Sequence, residues 1–125
     1  MARTRNKFMS CLRKRDVLNN SNADPETLIR EAEIFWEAGY IQDALDFFAK
    51  AGYEAGLKRI MSQAVEEGDY FTAETAVKAG GQDLSSSEWS ALGDKALEEG
   101  KYQFALKAFT RAGDVEKIEA ARKYI

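Results

Sequence analysis

The chain has 125 residues, 45% of them apolar and 31% charged, with a formal net charge of −3 at pH 7. That balance fits a folded globular domain and argues against a disordered chain. Histidine is absent and Cys11 is the only cysteine, which excludes an intrachain disulfide, a thiolate metal site and the commonest general base.

The first fifteen residues read as a basic arm: Arg3, Arg5, Lys7, Arg13, Lys14 and Arg15 with no acid, so +6 precedes a −9 body. Three roles stand open for residues 1–23. Phe8, Cys11, Leu12 and Arg15 share helical spacing and could pack on the body. The arm could stay a disordered solubilising tail. It could also touch an anionic surface, RNA or lipid, although six cations without interleaved aromatics are a weak nucleic-acid signal.

Helices then follow in regular order. Asp24-Pro25-Glu26 is an N-cap with proline at the first helical position, opening a helix over 25–38. Further helices are predicted over 41–51, 54–67 and 70–79. The glycine- and serine-rich stretch "GGQDLSSS" at 80–87 is the longest break. Ser85 to Glu88 fits a capping box for a helix over 86–99. Helices over 102–112 and 115–124 complete the chain, the last capped by Asp114. No apolar run approaches the roughly 20 residues a membrane-spanning helix needs.

Three segments align without gaps: "WEAGYIQDALDFFAKAG" (36–52), "VEEGDYFTAETAVKAGG" (65–81) and "LEEGKYQFALKAFTRAG" (97–113). Each carries a turn glycine (Gly39, Gly68, Gly100), then alanine (Ala44, Ala73, Ala105), a large apolar residue (Phe48, Val77, Phe109) and a second glycine (Gly52, Gly81, Gly113). Upstream offsets repeat as well, through Leu28, Leu57 and Trp89, then Ala32, Met61 and Gly93, then Trp36, Val65 and Leu97. Threes and fours mark one helix face, so each unit is two helices joined by a tight turn. The expected fold is all-α, with a basic arm over 1–23 and a helical repeat domain over 24–125.

The third unit resembles the tetratricopeptide (TPR) family. Trp89, Leu92, Gly93, Gly100, Tyr102, Ala105, Phe109 and Ala112 stand at the family's spacing, with Ala96 where tyrosine is usual. The first two units match more loosely, with Glu31 in place of leucine and Met61 in place of a small residue. The resemblance implies a short α-solenoid of about three antiparallel helix-turn-helix repeats plus a C-terminal capping helix, or one section of a longer solenoid. It also implies close helix seams, pairing Ala32 with Ala44, Met61 with Ala73 and Gly93 with Ala105. That pairing would account for a glycine inside a helix, which costs roughly 1 kcal/mol relative to alanine.

The family's inner surface, carried over by position, comprises Ile29, Arg30, Glu33, Trp36 and Glu37 from the first unit and Lys58, Arg59, Ser62, Val65 and Glu66 from the second. The third supplies Ser90, Ala91, Asp94, Leu97 and Glu98. Trp36, Val65 and Leu97 would form an apolar strip beside Glu37, Glu66 and Glu98, which favours a basic peptide or helix. Two blander readings stay open: the glutamates as a solvated face, and Trp36 as a residue buried between repeats. Glu33, Ser62 and Asp94 replace the asparagines of the family's carboxylate clamp, so a receptor for C-terminal carboxylates is not expected. Without a nucleophile elbow, a metal-ligand cluster or a phosphate-cradling loop, the expected function is protein binding, with no enzyme activity, cofactor or metal. Alternatives are a structural segment of a larger solenoid or homo-oligomer, and an anionic-surface binder acting through the arm. The cytoplasm is the expected setting.

Overall fold

The computed structural model describes residues 24–125; the basic arm with Arg3, Arg5, Lys7, Arg13, Lys14 and Arg15 lies outside the described residues. Those described residues form seven α-helices and no strand. They are α1 (Pro25–Glu37), α2 (Ile41–Ala51), α3 (Glu54–Glu67), α4 (Tyr70–Lys78), α5 (Ser86–Glu98), α6 (Tyr102–Ala112) and α7 (Val115–Arg122). Every predicted helix is present, with ends shifted by two residues at most.

The caps follow from short side chains at the predicted positions. The Asp24 carboxylate accepts from the Glu26 amide, and Asp114 accepts from the Lys117 amide. Ser85 and Glu88 close a reciprocal capping box: the Ser85 hydroxyl accepts from the Glu88 amide at 3.2 Å, and the Glu88 carboxylate accepts from the Ser85 amide at 3.1 Å. Asp69 caps α4 by accepting from the Thr72 amide and hydroxyl. The turn glycines Gly39, Gly68 and Gly100 all have positive φ, at 86°, 67° and 79°, as a left-handed helix stop requires.

The described residues divide into two compact units, the first ending at Leu57 and the second spanning Lys58–Ile125. In the first, α1 packs against α2. Leu28, Ala32 and Phe35 of α1 are buried, as are Ala44, Leu45, Phe47 and Phe48 of α2. The Phe35 and Phe47 rings stack with centroids 5.4 Å apart. Phe48 lies over Gly56, where a Cβ would come within 2.6 Å of the ring. Glu31, standing where the repeat pattern asks for leucine, has one carboxylate oxygen buried without a hydrogen-bond partner.

In the second unit α5 and α6 form the tightest pair, and α7 packs on α6. One cluster gathers Ala64, Tyr70, Ala73, Trp89, Leu92 and Ala108. A second joins Ala96, Ala105, Phe109 and Ala121. Trp89 is 1% exposed; burying a large side chain so fully contributes about 2–3 kcal/mol. The seam at Gly93 differs from the expected pairing. The atoms nearest to a Cβ placed at Gly93 belong to the Phe109 ring, with Cδ1 at 2.6 Å, and not to the backbone at Ala105. The glycine is needed because an aromatic side chain of α6 lies flat against α5.

Candidate functional site

The residues assigned to a binding face are described unit by unit. In the first unit Arg30 and Glu37 of α1 are exposed, whereas Ile29, Glu33 and Trp36 are half-buried. Neither Glu33 nor Trp36 is free of contacts.

In the second unit Lys58, Ser62 and Glu66 of α3 project into solvent, while Arg59 is half-buried and engaged. Val65 is half-buried because its side chain packs against the cluster around Trp89 and Leu92. Leu97 of α5 does the same against Ala96, Ala105 and Phe109. Each aliphatic therefore serves its core and leaves an edge at the surface. Each is followed by an exposed glutamate, Glu66 and Glu98. Glu98 lies 4.0 Å from Lys95, an exposed i, i+3 pair of small worth. Glu99 is more firmly held. Lys101 lies 3.1 Å from it, and that hydrogen bond is the main cause of its lowered pKa.

Two further face residues of α5, Ser90 and Asp94, are occupied from within the unit. The Lys117 ammonium of α7 donates to the Ser90 hydroxyl at 2.9 Å and to the Asp94 carboxylate at 3.0 Å. It also stands 5.7 Å from the centre of the Phe109 ring. A hydroxyl, a carboxylate and an aromatic face thus converge on one cation. Ala91 remains exposed beside them.

A second polar network escaped the sequence reading. Asp83, in the long loop before α5, accepts from the Trp89 indole Nε1 at 3.0 Å and from Arg111 Nη2 at 3.2 Å. The Arg111 guanidinium lies 4.4 Å from the centre of the Trp89 ring. Tyr70 donates its hydroxyl to Glu74 at 2.6 Å. Burial, and then that bond, raises the Tyr70 pKa above its ordinary 10.0. The same bond, followed by one from Lys78, holds Glu74 below 4.5. The network staples the 80–87 loop to α5 and α6. The only hint in the sequence is the i, i+4 spacing of Tyr70, Glu74 and Lys78.

Tyr102, Phe104, Tyr124 and Ile125 line an open cleft of about 470 Å³ beside Gly100 and Lys101. The Tyr102 and Tyr124 rings stack there at 4.8 Å. Among the described residues no group of acids could hold a metal ion, and no helix is long and apolar enough to cross a membrane. Comparison with known protein families, with curated proteins and with solved structures finds no match to this chain.

Proposed function

We propose that the chain is a non-catalytic protein-binding module, built of TPR-like helix pairs in a short α-solenoid, that takes a basic peptide or helix of a partner. One observation carries this reading. On α3 and on α5 a half-buried aliphatic is followed by an exposed glutamate at the same repeat position, Val65-Glu66 and Leu97-Glu98. Trp36-Glu37 repeats the pairing in the first unit. Apolar edges supply contact area, and the neighbouring carboxylates select cations and speed encounter. A helix-in-groove or extended-peptide mode fits such a face. The cytoplasm, where folded adaptors without disulfides are at home, is the proposed setting.

The test is affinity capture with the wild-type chain and with a Glu66→Lys, Glu98→Lys variant, after circular dichroism shows that the variant keeps its helices. Partners carried by the face disappear from the variant. Retention of every partner would refute the reading.

A second reading is self-association or incorporation into a longer solenoid. It is favoured by Val115, Tyr124 and Ile125, which are 69%, 58% and 59% exposed. Sedimentation separates the two, because a peptide-binding module of this kind stays monomeric at working concentrations.

A further inference from the structure

We infer that α7 is an intramolecular occupant of a seat on α5 and α6, and that a partner helix with the pattern Lys-Ile-x-x-Ala can take that seat in its place. The inference rests on the protein-binding reading and names both the partner chemistry and the contact that holds it off.

The seat is specific at one point. Ser90, Asp94 and the Phe109 ring surround the Lys117 ammonium, and Asp94 and Ser90 belong to the face assigned to partners. At the repeat position of Lys117, one residue before Leu28, Leu57 and Trp89, the earlier units carry Thr27, Gly56 and Glu88, so the cation belongs to α7 alone. One residue on, Ile118 packs against the cluster of Ala96, Ala105 and Phe109, and Ala121 enters that cluster fully.

Beyond those three anchors and the stacking of Tyr124, just past the helix, on Tyr102, α7 is weakly held. Ala121 is its only buried residue. Val115 is exposed, and the Arg122–Glu119 pair faces water. Tyr124 and Ile125, just past the helix end, border the open cleft of about 470 Å³ and do not close it. An eight-residue helix has almost no stability of its own, so α7 leaves its seat by melting, at the low-stability end of the unit. An outside helix with the same three anchors then meets a seat already shaped for it.

Hydrogen exchange on the intact chain gives the first measurement. Amides of α7 are expected to exchange at least about tenfold faster than those of α5 and α6. Exchange as slow as in α5 and α6 would overturn the inference. The second measurement uses a fluorescent synthetic peptide of residues 113–125 and its Lys117→Met form. The acceptors are the wild-type chain and an Ala120→Pro chain, whose α7 cannot form. The Ala120→Pro chain is expected to bind the native peptide at least about tenfold more tightly than wild type does, and the Met peptide about tenfold more weakly than the native one. Should Ala120→Pro melt at a lower temperature than the assay, a Lys117→Met chain serves as the acceptor. No binding by the opened chain, or equal binding of both peptides, would overturn the proposal. Loss of natural partners in the Glu66→Lys, Glu98→Lys variant concerns the wider reading alone, since the anchors are held by Ser90, Asp94 and the cluster around Phe109.

Discussion

Gly68 sits directly against the backbone of Ala96: a Cβ built on the glycine would stand 2.6 Å from the Ala96 nitrogen and 2.9 Å from its Cα. The turn between α3 and α4 is thereby pressed onto the last turn of α5. Ala96 is itself fully buried at this contact.

Gly68→Ala is accordingly expected to cost about 2–4 kcal/mol, from left-handed backbone strain and from the clash with α5. Chemical denaturation measures it. The same change at Gly39, which also has positive φ but meets nothing within 4 Å, carries the backbone strain alone and costs about 1–2 kcal/mol.

Gly93→Ala would normally gain about 1 kcal/mol of helix propensity. Here it is expected to lose about 1–3 kcal/mol, because the Phe109 ring fills the space. In a Phe109→Leu background the loss shrinks, so a double-mutant cycle reads a clear coupling. Additive effects would show that ring and glycine do not oppose each other.

Asp83→Ala leaves the Trp89 indole N–H without its acceptor inside the fold. A loss of about 1–3 kcal/mol follows, with a shift in tryptophan fluorescence. Asp83→Asn keeps an acceptor and is milder. The Arg111 pair adds little to either value, since both partners reach solvent.

Glu74 titrates lower in the folded chain because Tyr70, and then Lys78, donates to it. The unfolded chain therefore binds more protons as pH falls below 4.5, and the contribution from Glu74, complete above that value, is lost through the folded-state pKa. At the alkaline end Tyr70 acts in the opposite sense. Its raised pKa gives stability that is complete below pH 10 and fades as pH rises further. Glu74→Gln is expected to flatten the acid limb of melting temperature against pH, while Lys78→Met flattens it less.

Glu31→Leu is expected to stabilise the chain by about 1–2 kcal/mol, because it removes a buried carboxylate oxygen that has no partner. A lower melting temperature in this variant would show that Glu31 holds an interaction worth more than its desolvation.

The helices and their ends could be read from the sequence because their causes are local. Asp24, Ser85 and Asp114 each cap an amide two or three residues away, and glycines mark the stops. The face residues were legible in register but not in use. Val65 and Leu97 are shared with the cores, and neighbour lists at fixed spacing do not tell an apolar edge from an apolar face. Lys117 reaches back 23 and 27 residues to Asp94 and Ser90, and Arg111 reaches 28 to Asp83. Such contacts cross between helices or from a loop to a helix, where no periodicity announces them. Gly93 marks a close-packed seam, but its neighbour is a ring and not a second small residue.

Phe48 and Phe109 fill the same slot of the repeat, yet Phe48 lies on the glycine of the helix that follows it and Phe109 on the glycine of the helix that precedes it. The duplicated segments are thus no longer interchangeable parts. Grafting one copy over another, or averaging the copies into a consensus, would bring a phenyl group without its matching hollow. Each copy is thereby tied to its own address in the chain.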